Sequence, residues 1–264
     1  MIEVRPASVG RRCMSLKILT WNVKWATPLS WQAPEIRSRI KDHDPGIVCL
    51  TESDAELLAQ GLPAQPGHVV SSQPDYGYPM YDGRRKVVLW SREPWRDVDK
   101  FGSKSLPPGR FVSGVTQTSL GDVTVIGVCI PWPGSRTEAR RGAARRKRWE
   151  DHKDYLAALP AILERAPTER VIVMGDFNQK IGQGRYKPDS LQGRLRSVFS
   201  GGICIVTADV TFEGRRTIDH IALSDDLIVG PAGESLKVIS NIHDDGKELS
   251  DHFGLVAEVT ARSS

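Results

Sequence analysis

The sequence predicts a mainly β fold in which two sheets pack together and helices cover their outer faces. Short runs rich in Val and Ile recur along the 264 residues, and Gly, Pro and Asp separate them. Only two segments show apolar residues at helical spacing. Because strands stand before and after each helical segment, we expect the helices to cover the sheets.

Each predicted strand is a short apolar run bounded by residues that form turns. Ten runs meet this description: Leu16–Val23, Gly46–Leu50, Lys86–Ser91, Phe111–Gln117, Val123–Ile130, Val171–Met174, Ile203–Val206, Ile218–Leu223, Leu236–Ser240 and Gly254–Val259. No internal repeat or low-complexity linker divides them. We therefore expect one domain over residues 16–264, preceded by a loose arm of residues 1–15 that lacks any periodicity.

Two helices are predicted between these strands. The first begins at Pro34 and ends before Pro45, because a proline excludes its predecessor from a helix. The second and longer helix extends over about 137–165, where apolar residues recur at helical spacing. Two long loops, 63–83 and 182–193, are expected to contact the substrate, since long loops in a compact domain are often functional.

The composition is typical of a globular protein in a reducing compartment. Apolar residues make up 39% of the chain and charged residues 26%, a mixture too hydrophobic for a disordered chain. The four cysteines are widely separated, and three lie in apolar runs, which predicts buried free thiols and no zinc site or disulfide framework. No stretch has membrane-spanning length or the pattern of a secretory leader. We expect a cytoplasmic monomer without membrane insertion.

Positive charge is concentrated in residues 136–148, although the formal net charge of the chain is only +4. A local cluster of this kind attracts polyanions, but it is equally typical of a solvated helix face. If the segment binds substrate, we expect the substrate contacts to come from Arg136, Arg140 and Arg141 and from the nearby Trp132.

A series of polar side chains stands at the ends of apolar runs, where a sheet brings side chains to a shared rim. Asp176 and Asn178 follow the run at 171–174. Two residues apart on extended backbone, they lie on the same side. In phosphoryl chemistry such a pair holds an attacking water and donates a hydrogen bond to a phosphate oxygen. An isolated Asp-x-Asn at a strand end is also typical of a plain turn.

Glu52 and Asn22 stand at two further places of this kind. Glu52 ends the run at 46–51, and carboxylate oxygens are ligands that Mg²⁺ and Mn²⁺ prefer. Alone, it could instead cap a helix at 55–59. Asn22 interrupts an apolar strand, and an unpartnered buried amide costs about 1–3 kcal/mol. We expect its amide to bond a metal ligand or the metal itself, with the backbone as the alternative partner.

Two Asp-His dipeptides, Asp219-His220 and Asp251-His252, adjoin apolar runs near the end of the sequence. An Asp and a His from different strands can pair, which fixes the tautomer of the imidazole and keeps it charged toward phosphate. Two unrelated surface pairs are the alternative interpretation.

These blocks, taken together and in order, resemble the motifs of the endonuclease/exonuclease/phosphatase superfamily, which includes DNase I, exonuclease III-like abasic endonucleases and inositol polyphosphate 5-phosphatases. They are Trp21-Asn22, Thr51-Glu52, Gly175-Asp176-Phe177-Asn178, Ile218-Asp219-His220 and Ser250-Asp251-His252. The resemblance extends over residues 16–260. It implies a DNase I-like four-layer α/β/β/α sandwich of two mostly antiparallel sheets, with Mg²⁺ or Mn²⁺ as the cofactor.

The resemblance also implies two sets of site residues. The metal-binding set consists of Asn22, Glu52 and Asp251. The catalytic set consists of Asp176, Asn178, Asp219 and His252. Within the catalytic set, Asp176 resembles the residue that activates water, and Asn178 the one that steadies phosphate and nucleophile. Asp219 resembles the partner that orients His252, whose imidazole would contact phosphate.

The sequence departs from the family pattern at two positions. Cys129 stands where several branches place a catalytic His and where the abasic endonucleases have a Tyr-x-Pro-Asn block, whose proline Pro131 matches. Lys24 stands where abasic endonucleases often carry an acid, which removes one metal carboxylate. The departure at Cys129 bears on the substrate class and the efficiency and leaves the expected fold unchanged.

The sequence therefore predicts a metal-dependent phosphodiester hydrolase, a nuclease acting on DNA or RNA through an activated water. The first alternative is a phosphomonoesterase or a hydrolase of lipid or sugar phosphates with the same fold. The second is a binding module that has kept the fold and lost the chemistry, an interpretation that Cys129 and Lys24 favour and the retained acidic residues oppose.

Overall fold

The computed structural model describes residues 14–59, 62, 66–74, 81–135, 137, 146–182, 184–230 and 233–262. The expected arm at 1–15 lies almost entirely outside the described residues, and the first strand begins at Ser15. The strands are β1 (Ser15–Ala26), β2 (Ile47–Asp54), β3 (His68–Ser71), β4 (Arg84–Ser91), β5 (Trp95–Asp99), β6 (Phe111–Thr118), β7 (Gly121–Cys129), β8 (Val171–Asp176), β9 (Ile203–Ile205), β10 (Thr211–Phe212), β11 (Arg215–Arg216), β12 (Asp219–Ser224), β13 (Leu227–Val229), β14 (Leu236–Ile239) and β15 (Gly254–Ala261). The helices are α1 (Ala33–Asp42), α2 (Glu150–Ala158), α3 (Pro160–Leu163) and α4 (Leu191–Val198).

The strands form two large sheets and one small hairpin. The first sheet has the order β13-β15-β1-β2-β4-β3, with β14 also paired to β15. The second has the order β5-β6-β7-β8-β12-β9, and β10 pairs with β11 in the hairpin. In the large sheets, β1 pairs with β2 and β7 pairs with β8 in parallel. The other neighbouring strands of these two sheets are antiparallel. The sheets are therefore mostly antiparallel, as predicted.

Three apolar clusters separate four layers. The central cluster joins the inner faces of the two sheets and contains Ile18 and Cys49 from the first sheet with Val125 and Met174 from the second. A second cluster packs the outer face of the first sheet against α1. A third packs the outer face of the second sheet against α2, α3 and α4. This arrangement confirms the predicted α/β/β/α sandwich.

The first predicted helix is confirmed with α1, but the second prediction was too long. Of the residues expected in it, 138–145 lie outside the described part, and helix begins only after Trp149, whose φ of 69° is left-handed. Pro160 then separates α2 from α3 because its ring cannot continue the preceding turn. Apolar spacing alone could not locate these two interruptions.

The predicted loops and thiols also need correction. Strand β3 lies inside the expected loop at 63–83, and α4 begins inside the expected loop at 182–193. Cys49 and Cys129 are buried as predicted, whereas Cys204 is exposed, because β9 is the edge strand of its sheet. No helix in the described ranges has the length and apolar character needed to cross a membrane.

The two parallel pairs determine where the functional side chains lie. Parallel neighbours end at the same edge of a sheet, so the ends of β1 and β2 meet at one rim, and those of β7 and β8 meet in the other sheet. Side chains of both sheets line one cavity at this shared rim.

Candidate active site

The cavity at the shared rim has a volume of about 460 Å³. Its polar lining brings together six of the predicted site residues, Asn22, Glu52, Asp176, Asn178, Asp251 and His252. The seventh, Asp219, lies directly behind them, since it pairs with Asp176 across β12 and β8. Residues from 22 to 252 thus converge at one place in the fold.

Asp176 lies at the centre of a buried hydrogen-bond network. Its Oδ2 accepts a bond from the Asn178 amide at 2.9 Å and one from the Asn22 amide at 3.2 Å. Its Oδ1 accepts the backbone N–H of Asn178 at 2.8 Å, so the turn considered from the sequence is present as well. The backbone does not stay extended, because Asn178 has a left-handed φ of 53°. The amide of Asn22 has the acidic partner that its burial requires.

His252 is paired with Asp219, as the sequence allowed. The Nδ1 of the imidazole lies 2.5 Å from Oδ2 of the Asp219 carboxylate. The backbone on either side is also held, because Trp21 Nε1 donates to the His252 carbonyl at 2.8 Å and the His252 N–H donates to Ser250 Oγ at 3.2 Å. The ring is therefore fixed in place, and within the described part of the chain its second nitrogen makes no hydrogen bond.

Charge and burial shift the pKa values of the two central groups in ways that suit different roles. Burial alone would lower the pKa of His252, but the charge and hydrogen bond of Asp219 raise it to about 10. Burial, followed by repulsion from Asp219, raises the pKa of Asp176 to about 7. Near pH 8 the structure therefore presents a charged imidazole beside a carboxylate that has just lost its proton.

Two lysines accompany the carboxylates of the expected metal set. Glu52 has a left-handed φ of 48°, and its Oε1 accepts a bond from the nearly buried ammonium of Lys86 at 2.7 Å. Lys24, the residue in place of the expected acid, lies 3.8 Å from Asp251, and both side chains are half-exposed. The sequence did not predict Lys86 as a site residue, although three consecutive cations, Arg84 to Lys86, at the start of β4 were a usable signal.

The donor atoms at this rim fit a hard divalent cation. Asn22 and Glu52 contribute amide and carboxylate oxygens, the ligand type that Mg²⁺ and Mn²⁺ prefer. Ligand atoms of Asp176, Asp219 and His252 lie within 4.8 Å of one another. One oxygen of this group, Oδ1 of Asp219, is buried and has no hydrogen-bond partner among the described residues. A nearby cation would offset this concentration of buried negative charge.

An aromatic and cationic group completes the cavity, and sequence reasoning missed most of it. The register of β1 against β2 shifts after Asn22, and Trp25 then enters the cavity beside Tyr81 and Arg84. The Arg84 Cζ lies 4.5 Å from the Tyr81 ring centroid and 5.1 Å from that of Trp25. Trp132, which was predicted to contact substrate, also lines the cavity and is 51% exposed. Arg136, Arg140 and Arg141 lie outside the described residues.

Other residues that drew attention in the sequence are structural. Cys129 is part of the core between the sheets, and burial raises the pKa of its thiol to about 12. His220 is fully buried between Thr207 Oγ1 at 3.0 Å and the Gln179 carbonyl at 2.8 Å. All six histidines lie in the described part of the chain, and His252 is the only one that lines the cavity.

The fold is shared with solved structures of low sequence identity. A protein from Beutenbergia cavernae described as an endonuclease/exonuclease/phosphatase matches with a TM-score of 0.63 at 18% identity, covering 94% of this chain and 72% of its own. NExo from Neisseria, described as a 3′ phosphatase bound to product DNA hairpin, matches with a TM-score of 0.63 at 20% identity, covering 92% and 98%. TDP2 of D. rerio, complexed with single-strand DNA product, matches with 0.63 at 14% identity, covering 94% and 99%.

Sequence comparison gives the family directly. No curated protein matches this sequence. The family model described as the endonuclease/exonuclease/phosphatase family matches residues 19–252, which include every residue of the two predicted site sets. The chain belongs to the endonuclease/exonuclease/phosphatase family, whose members are phosphoester hydrolases.

Proposed function

We propose that this protein is a divalent-metal-dependent phosphodiester hydrolase that cleaves nucleic acid. The observation that carries the proposal is the position of the Asp219–His252 pair beside Asp176, with their ligand atoms within 4.8 Å of one another. A charged imidazole and a water-activating carboxylate at this separation can act on two atoms of one phosphate. NExo and TDP2, both described in complex with DNA products, support nucleic acid as the substrate.

In the proposed mechanism, His252 binds the phosphate and Asp176 acts as the base. The Nε2–H of the charged imidazole donates to a non-bridging phosphate oxygen, while Asp219 accepts from Nδ1 and fixes the ring. Asp176 accepts a proton from water, whose oxygen forms a new bond to phosphorus as the bond to the leaving oxygen breaks. Asn178 holds the Asp176 carboxylate in position through two hydrogen bonds.

Asn22, Glu52 and Asp251 would hold Mg²⁺ or Mn²⁺ in this proposal. The bound ion supplies positive charge to the phosphate and to the leaving oxygen. Lys86 bonds Glu52 and Lys24 lies beside Asp251, so these two ammonium groups would add positive charge next to the residues that would hold the ion. We further propose a cytoplasmic location, because Cys49 and Cys129 are free and buried.

Hydrolysis by Asp176→Asn beside the parent protein tests the proposal. Plasmid, single-stranded, abasic-site and RNA substrates are incubated with Mg²⁺, Mn²⁺ or EDTA. We expect cleavage only with metal, and a loss of about 10²- to 10⁴-fold in the variant, since asparagine cannot accept the proton. Asp244→Asn, at a carboxylate that is 99% exposed, is the matched control and keeps the parental rate. Equal rates for Asp176→Asn and the parent would rule out the proposed chemistry.

A phosphomonoesterase acting at the end of a nucleic acid is the second candidate. Two solved structures of NExo are described differently, one as a 3′-5′ exonuclease and one as a 3′ phosphatase, so one protein of this fold carries both descriptions. The same residues would serve both reactions, because only the leaving group differs. Release of inorganic phosphate from a 3′-phosphorylated oligonucleotide, without shortening of the chain, would identify this activity.

A further inference from the structure

We propose that Trp25, Tyr81, Arg84 and Trp132, here named the aromatic wall, bind an unstacked nucleobase next to the scissile phosphate. The proposal rests on the proposed function and assigns its substrate class: a single-stranded segment or an unpaired end, with intact duplex excluded. The aromatic wall and the phosphate-binding residues line the same cavity. A base held by the aromatic wall therefore lies close to Asp176 and His252.

Both sheets contribute to the aromatic wall. Trp25 lies at the end of β1, and Tyr81 and Arg84 lie at the start of β4, all in the first sheet. Trp132 follows the end of β7 in the second sheet. Since the cavity lies at the shared rim of the two sheets, a planar ligand that enters it meets aromatic surface from both of them.

Trp132 is held in place although half of its surface is exposed. Its six-membered ring lies over Gly134, where an added Cβ would come within 2.4 Å of Cη2. The absence of a side chain at Gly134 therefore lets the ring pack against the backbone, and a larger residue there would displace it. A large indole fixed in this way loses little conformational entropy when a ligand stacks on it. Its exposed surface, 51% of the residue, is available for such a contact.

The first-sheet side of the aromatic wall combines rings with cations. Arg84 stacks near both Tyr81 and Trp25, and the Lys86 ammonium lies 4.6 Å from the Trp25 centroid. Lys24 and Trp25 both have left-handed φ values, 48° and 63°, which are rare for large side chains and store strain. This left-handed backbone at Lys24 and Trp25 accompanies the position of the Trp25 side chain at the cavity.

This combination matches a nucleotide better than a phosphate alone. Nucleobases stack on aromatic rings and guanidinium planes, and the adjoining cations attract the phosphate backbone. The cavity volume of about 460 Å³ lies within the range of small-ligand sites. Bases inside a duplex already stack on one another and must be unstacked before they reach a protein ring. The aromatic wall therefore selects nucleic acid in which the base beside the cleaved bond is unpaired.

Fluorescence anisotropy of Asp176→Asn with labelled probes and Mg²⁺ tests this inference without turnover. The probes are a short thymidine oligonucleotide, an abasic-spacer chain with the same number of phosphates, and a blunt duplex of mixed sequence. We expect the thymidine chain to bind at least about fivefold more tightly than the spacer chain, the smallest effect of one stacked base. We also expect the blunt duplex to bind more weakly than the thymidine chain.

In the Asp176→Asn background, the additional substitution Trp132→Ala is expected to remove most of the preference for the thymidine chain over the spacer chain. Binding of the spacer chain itself should stay unchanged. Trp132→Phe keeps part of the preference because it keeps a ring. Trp31→Ala is the matched control, since Trp31 is 54% exposed and does not line the cavity. Any of four results would overturn the inference. The thymidine and spacer chains could bind equally, or Trp132→Ala could weaken both equally. The protein could also prefer the duplex, or bind none of the probes. Unchanged hydrolysis by Asp176→Asn would instead overturn the proposed function, because the preference for bases is measured without cleavage.

Discussion

Replacement of Asp219 by asparagine is expected to remove the positive charge of the His252 imidazole while leaving the ring in the same position. The asparagine keeps the size of the side chain and an oxygen near Nδ1, but it removes the negative charge that raises the pKa of the imidazole to about 10. Without this charge, burial still lowers the pKa while the charges of Asp176 and Asp251 still raise it, so we expect a value near the ordinary 6.5. At pH 8 the charged fraction would fall from nearly all molecules to about 3% or less.

The expected kinetic effect follows from this fraction. If the charged imidazole binds phosphate, kcat/KM of Asp219→Asn at pH 8 should fall by about 30-fold or more. At pH 6 the loss should be much smaller if the pKa stays near 6.5, because most imidazoles are then charged again. The measurement is kcat/KM against pH for the parent, Asp219→Asn and the exposed-site control Asp244→Asn, accompanied by an NMR titration of the His252 ring.

Folding stability gives a readout of the same pair that does not depend on activity. The pKa of His252 is raised in the folded protein, so its contribution is fully present below pH 6.5 and is lost as the pH rises to about 10. The free energy of unfolding of the parent should therefore decline over this window more steeply than that of Asp219→Asn. A His252 ring that still titrates near pH 10 in the variant would refute the reasoning.

Three further predictions concern other parts of the molecule. Lys86→Met should tighten Mn²⁺ binding on the order of tenfold by electron paramagnetic resonance, because Glu52 loses its ammonium partner; an unchanged Kd would contradict this. Gly175→Ala should lower the free energy of unfolding, measured in urea, by about 3 kcal/mol or more. The reason is that Gly175 has a φ of 138° and that an added Cβ would lie 2.0 Å from the Val128 carbonyl oxygen. Gly201→Ala is the control and should change this free energy little, because Gly201 faces open space. Among the described cysteines only Cys204 should react with a thiol reagent in the folded protein, and Cys204→Ser should remove that reaction; rapid labelling of buried Cys129 would count against the packing described.

Much of the fold was predictable because strand signals are local. The strand carrying Asp176 and the start of α1 follow from short apolar runs and from Pro34, features that can be read within a few residues. The extent of α2 was not predictable in this way, since the left-handed backbone at Trp149 lies within otherwise helical spacing. Apolar periodicity predicts which face of a segment is buried but does not specify where its backbone turns.

The site residues that belong to recognisable sequence motifs could be predicted. Those that reach the site only through the packing of the sheets could not. Two Asp-His dipeptides adjoin apolar runs, and the resemblance to the family identified Asp219 and His252 as the pair. Lys86 and Arg84 belong to the site because β4 lies next to β2, and this neighbour relation is a long-range property of the sheet. Cys129 shows the converse, since its place in the sequence suggested the phosphate and its packing assigns it to the core.

The pairing of β15 with β1 joins the two ends of the described chain inside the active site. Ser250 donates to the Asn22 carbonyl across 228 positions of sequence, and Trp21 donates to His252 across 231. Contacts of such large separation form slowly and cannot form until the later segment has been synthesised. During translation, the segments that carry Asn22 and Glu52 must therefore wait for the segment that carries Asp251 and His252. The candidate site therefore remains incomplete until β15 has been synthesised and has paired with β1.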